Sequence, residues 1–94
     1  MKNNLINLYC KIYGRVQGVG FRVWTKNNAE EYSLTGWVKN CPDGTVECEL
    51  SGEKKVIKAF LEKCQRGPIL SSVKKIYKEE RPFVKIENFS IYYK

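Results

Sequence analysis

The 94-residue sequence predicts an α+β fold, with two helices packed on one face of a single, mainly antiparallel sheet. Three observations carry this. Alternating apolar and polar residues mark strands near positions 5–13, 34–41 and 45–50 and at the C-terminal end. Two stretches without Gly or Pro, starting near Phe21 and Glu53, repeat apolar residues at helical spacing. Turn residues separate all of these segments.

The first strand spans residues 5–13, with Ile6, Leu8, Cys10 and Ile12 on one face and Asn7, Tyr9, Lys11 and Tyr13 on the other. A glycine-rich stretch follows, Gly14-Arg15-Val16-Gln17-Gly18-Val19-Gly20, whose three glycines mark a loop of unusual backbone angles. The first helix runs from Phe21 to about Tyr32, led by Phe21, Trp24, Ala29 and Tyr32; Thr25 and Asn28 dilute its stripe. Leu34 to Cys41 and Thr45 to Leu50 form a hairpin closed by Pro42-Asp43-Gly44. Glu53 to Gln65 carries Val56, Ile57, Phe60, Leu61 and Cys64 on one stripe and stops at Gly67-Pro68. Val73 to Lys78 reads as a lysine-rich edge strand, and Val84 to Tyr93 as a last strand with Phe89, Ile91 and Tyr93 on one face. The order β-α-β-β-α-β, closed by a final short strand, is the ferredoxin-like split βαβ arrangement.

Length and continuity fit one domain over residues 1–94, with no internal repeat or linker. No stretch approaches the ~20 apolar residues of a membrane span, and no signal peptide is legible, so a cytoplasmic, monomeric chain without membrane contact is expected. Seventeen Lys+Arg against ten Asp+Glu give a net charge of +7. Such a field attracts anions generally and selects none; a merely solvated basic surface would read the same. Four cysteines and no histidine offer no zinc spacing. Cys10, Cys48 and Cys64 fall in register with apolar neighbours and read as small buried hydrophobes. No metal and no cofactor is expected.

The chemistry lies in the glycine loop. The first N–H groups of a helix lack internal partners and carry partial positive charge. Glycines let the preceding backbone turn further N–H groups inward, and Arg22, two residues after Gly20, adds a planar fork suited to phosphate oxygens. The loop has neither the Gly-Lys-Ser/Thr ending of a P-loop nor the G-x-G-x-x-G order of a dinucleotide site. On residues alone, a tight strand-to-helix turn with an exposed arginine remains open.

Tyr13-Gly14-Arg15-Val16-Gln17-Gly18-Val19-Gly20-Phe21-Arg22 resembles the phosphate-loop signature of the acylphosphatase family. Gly36-Trp37-Val38-Lys39-Asn40, followed by Asp43-Gly44-Thr45-Val46, resembles that family's second signature. The likeness runs from the first strand to the last. It implies that Arg22 holds the phosphate together with backbone N–H groups of Gln17, Gly18, Val19, Gly20 and Phe21. It further implies that Asn40 places the attacking water and that Thr25 supplies a supporting hydroxyl. Ser33 departs from the glycine that many members have after the first helix, which touches the helix C-cap rather than the chemistry.

Few groups suffice for such a reaction. An acyl phosphate leaves as a carboxylate, whose conjugate acid has a pKa of roughly 4, so no general acid is needed. The site must neutralise phosphate charge and aim a water in line. An asparagine does the second without placing negative charge beside a dianion. The substrate class expected is a small acyl phosphate.

An RNA-binding module shares the β-α-β-β-α-β order, and its open sheet face would display Tyr9, Tyr13, Trp37 and Tyr92. Its third strand, however, reads Thr45-Val46-Glu47-Cys48-Glu49, where two carboxylates repel a phosphate backbone. No nucleic-acid partner is therefore expected. A non-catalytic anion-binding domain is the other alternative, since similar domains begin larger carbamoyl-transfer proteins; a free-standing enzyme is favoured.

Overall fold

The computed structural model describes residues 4–93. The chain runs β1 (Leu5–Arg15), α1 (Phe21–Glu31), β2 (Thr35–Asn40), β3 (Val46–Glu53), α2 (Lys54–Cys64), β4 (Ser72–Pro82) and β5 (Phe89–Tyr92). The strands lie in the order β4-β1-β3-β2-β5. All neighbours are antiparallel except β2 and β5, which run parallel. This is the ferredoxin-like arrangement expected, with α1 over β2 and β5 and α2 over β3 and β1.

Alternation along β1 buries Ile6, Leu8, Cys10 and Ile12 beneath the helices. Val46, Cys48 and Leu50 of β3 do the same, and Cys10 lies directly opposite Cys48. Ile57, Phe60, Leu61 and Cys64 close the core from α2. The cysteines at 10, 48 and 64 are fully buried free thiols. Burial pushes the Cys64 thiol well above its usual range. The seam between the helices is aromatic: Phe60 meets Tyr32 at 5.6 Å and Trp24 at 6.4 Å between ring centres, and Trp24 meets Phe21 at 5.6 Å.

Three sequence readings are corrected. Thr25 does not dilute the stripe of α1 but is fully buried, while Trp24 and Tyr32 are half-buried. The edge strand reaches Pro82, because β1 offers it eleven residues of backbone to pair with regardless of the charged Glu79-Glu80-Arg81. The last strand is only Phe89–Tyr92. Residues 83–88 must carry the chain from one sheet edge to the other, so they cannot pair along either. The crossing is pinned by the Val84 carbonyl, which accepts from Ser51 Oγ at 2.8 Å, and by the Asn88 carbonyl, which accepts from Gly36 N at 3.0 Å.

Helix α1 ends as a Schellman motif: Leu34 N–H donates to the Ala29 carbonyl and Ser33 N–H to the Glu30 carbonyl. That motif requires a left-handed residue after the cap, and Ser33 takes φ +59°. The sequence's departure from glycine is thus absorbed as backbone strain.

Candidate active site

One end of the molecule gathers the β1–α1 loop, the β2–β3 turn, the start of β4 and the end of β5. Of the three glycines in the loop signature, Gly14 belongs to the sheet. It sits in β1 at the register shift against β4, where a Cβ would strike the Ser72 carbonyl. Gly18 (φ +74°) and Gly20 (φ +78°) are the loop's own, and a Cβ on either would meet open space. Their backbone angles, not crowding, demand glycine.

Gly20 is also the N-cap of α1. Having no side chain, it cannot occupy the first helical N–H groups as a Ser or Asp would. The opening turn holds no acidic residue to offset those donors and does hold Arg22.

Arg22 meets Tyr93, which the strand pairing brings to the Asn40 end of the sheet. The Arg22 guanidinium lies over the Tyr93 ring, 4.7 Å from its centre. Lys39 of β2 is level with Tyr92 of the parallel β5, so Tyr93 follows beside Asn40 on the neighbouring strand line. Alternation puts Asn40 on the helix side with Val38, and Tyr93 on that side with Phe89 and Ile91. Tyr93 thus lies at the same end of the sheet as both residues the sequence singled out. The sequence marked its face and not its contact, which lies 71 positions away from Arg22.

Gln17 is a second feature that sequence pattern alone did not assign. Its amide nitrogen donates to the carbonyls of Cys41 at 2.8 Å and Thr45 at 2.9 Å. Those two carbonyls bracket the turn that follows Asn40, so the glycine loop is tied to the Asn40 hairpin. The turn closes itself through Cys41 N to Thr45 O at 2.9 Å and Gly44 N to Cys41 O at 3.1 Å. Asp43 accepts from both Thr45 N (3.0 Å) and Thr45 Oγ1 (2.6 Å), with Lys11 Nζ at 3.1 Å. The bonds from Thr45, then the one from Lys11, hold the Asp43 carboxyl down at about 2.

Thr25 lies beneath this end of α1, one turn after Phe21, and is fully buried. Its Oγ1 has no hydrogen-bond partner among the described residues. A buried hydroxyl in that condition is costly and calls for an explanation.

The opposite sheet face carries Tyr9, Tyr13, Trp37 and Tyr92 as expected, with Trp37 stacked on Tyr92 at 5.7 Å. Glu47 and Glu49 stand among them. Glu47 accepts from the Tyr9 hydroxyl, and Glu49 from Trp37 Nε1 at 2.7 Å. Among the described residues, no group of three or more His, Cys, Asp or Glu is placed to hold a metal ion. No helix of the described residues is long and apolar enough to cross a membrane.

The acylphosphatase family model matches residues 8–91. An acylphosphatase of Mesorhizobium japonicum is 43% identical over 70 residues, covering 74% of this chain and 74% of that protein. An acylphosphatase structure from Coxiella burnetii superposes with a TM-score of 0.90 at 35% identity, covering 95% of this chain and 94% of that one. Full-length HypF in its phosphate- and nucleotide-bound form matches 98% of this chain but with only 12% of its own, at 30% identity and a TM-score of 0.85.

Proposed function

We propose a division of labour for the active site of this chain, which belongs to the acylphosphatase family and is an enzyme of that hydrolase class. Arg22 and the backbone N–H groups of Gln17, Gly18, Val19, Gly20 and Phe21 bind the phosphate of an acyl phosphate. Asn40 orients the water. The observation that carries this reading is the convergence of an uncapped helix start, Arg22 and Asn40 at one end of the sheet, with Gln17 bridging loop and hairpin.

The water oxygen attacks phosphorus opposite the acyl oxygen. The phosphorus–oxygen bond to the acyl group breaks, its electron pair leaves with the carboxylate, and inorganic phosphate forms. The water's proton passes to a phosphoryl oxygen of the substrate, so no protein base is required. Charge on the three non-bridging oxygens is met by the guanidinium and loop donors, which are fixed before the reaction and need not reorganise. Asn40 can accept from or donate to the water while adding no negative charge. The unpartnered Thr25 hydroxyl supports this end of α1, directly or through a water.

Carboxylates at the centre of the open sheet face, each engaged by an aromatic donor, weigh against a stacking surface for RNA.

Hydrolysis of an aromatic acyl phosphate, with and without excess chelator, tests the proposal. Activity unaffected by chelator is expected; activity that vanishes and returns with a divalent ion refutes it. In the same assay, Arg22→Lys keeps charge but loses the planar fork, and should fall at least about a hundredfold. Asn40→Ala should lose kcat while inorganic phosphate inhibits as before. If Asn40→Ala weakens phosphate binding as much as Arg22→Ala does, Asn40 belongs to the anion site instead.

A further inference from the structure

The turn from α2 to β4 is fastened to both ends of the phosphate loop. Ser72 and Val73, which open β4, pair with Arg15 and Gly14, just before the loop begins. Gly67 abuts Phe21, just after it ends: a Cβ there would lie 2.8 Å from Phe21 Cε2. Between these anchors Pro68–Ser71 is tightly closed. Ser71 N and Ser71 Oγ both donate to the Pro68 carbonyl, at 2.9 and 2.6 Å. The two residues at its tip are Ile69 and Leu70, and they are 97% and 67% exposed.

Single exposed apolar residues are ordinary. Two in succession at the tip of a braced turn, neither joining the core among the described residues, are different. They cost solvation, and their turn shares its anchors with the loop that receives the substrate's phosphate.

We propose that Ile69 and Leu70 form an acyl-chain rest, and that this enzyme favours acyl phosphates bearing an apolar chain of several carbons. The inference rests on the phosphate-loop reading above and adds the substrate class to it. On this proposal a chain of several carbons reaches Ile69 and Leu70 and leaves water there, and a two-carbon acyl group gains little from them.

The test compares kcat/KM for acetyl, butyryl, octanoyl and succinyl phosphate in the parent and in Ile69→Ser/Leu70→Ser. Both positions are exposed, so folding should tolerate the change. The parent should favour octanoyl over acetyl phosphate by about tenfold, the scale of a few methylenes on a partly open apolar surface. It should also favour butyryl over the similarly long, charged succinyl phosphate. The double variant should lose most of the octanoyl-to-acetyl ratio, while inhibition by inorganic phosphate reports the cup separately. A flat series in the parent overturns the inference, as does a ratio that survives in the variant. Preference for succinyl phosphate overturns it as well, since it would point to Arg15 and Arg66 reading a second anion. A parent that hydrolyses none of the four refutes the phosphate-loop reading itself.

Discussion

Replacing Gln17 by alanine cuts the only side-chain tie seen between the glycine loop and the Asn40 hairpin among the described residues. Two hydrogen bonds are lost, but neither carbonyl is orphaned: Cys41 O still accepts from Gly44 N, and Thr45 O from Cys41 N. The stability cost should therefore sit at the lower end for two such bonds, about 1–2 kcal/mol. In a domain of this size that lowers the melting midpoint by roughly 5–15 °C. The effect on turnover should exceed what stability alone brings. A misplacement of about 1 Å at a water-positioning group can cost up to a hundredfold, so a fall in kcat of ten- to a hundredfold is expected. Phosphate should still inhibit within about threefold of the parent value, because the loop N–H groups and Arg22 remain. Gln17→Glu, which keeps the length but turns the donor into an acceptor facing two carbonyls, should be worse on both counts. Acyl phosphate hydrolysis and thermal unfolding, run on the same preparations, give the comparison. A folded Gln17→Ala protein with kcat within about twofold of the parent would refute the reasoning, because Asn40 would then be placed without the bridge.

Ser33→Gly should relieve the left-handed strain in the Schellman motif while adding chain entropy to the unfolded state, for a net gain of about 0.5–1 kcal/mol in denaturant melts. A loss of stability there would mean that the serine hydroxyl compensates its own φ. Tyr93→Ala removes the ring under Arg22 and should weaken phosphate inhibition about two- to fivefold, whereas Tyr93→Phe should hold within error. Equal effects from both variants would show that the hydroxyl, not the ring face, matters. The Asp43 carboxyl ionises well below its free value of 3.8, so its support of the turn is fully present above that pH and is lost as pH falls through about 2. An NMR titration of Asp43 with a midpoint near 3.8 would show the Thr45 and Lys11 contacts to be absent in solution.

What the sequence reveals is what repeats locally. The period of two in β1 and the apolar stripe of α2 survive into the structure because every second or every third to fourth residue meets the same buried layer. The last strand is shorter than the sequence predicts for the converse reason. Val84 and Ile86 look like strand residues, yet their segment is committed to crossing between opposite sheet edges, and Val84 stays exposed. Edge strand β4 was judged short because neither face of it is deeply buried, leaving charged residues free to occupy it. Gly14 looked like loop because glycine is read as turn, whereas here it admits close approach of β4.

The site divides along the same line. Arg22 and Asn40, the residues proposed to carry the chemistry, can be picked out because each ends a contiguous motif. The contacts that relate them cannot, because they depend on how the sheet is ordered. Parallel pairing of β5 with β2 brings Tyr93 to the Asn40 end of the sheet, and the passage from β1 to α1 brings Arg22 over its ring. Gln17 reaches Cys41 across 24 positions and Thr45 across 28. The proposed reaction, which asks only for phosphate neutralisation and one aimed water, would be sensitive chiefly to the relative placement of two pieces, the helix start and the hairpin end. The hairpin is braced by Asp43 and Thr45 and the glycine loop is tied to it through Gln17, so errors in catalysis should arise at the joint between them. Substitutions at Gln17 and Tyr93 should accordingly impair turnover or phosphate binding out of proportion to their cost in stability. Substitutions elsewhere in the core, such as Ile57→Val in α2, should do the reverse, costing about 0.5–1.5 kcal/mol of stability with turnover intact.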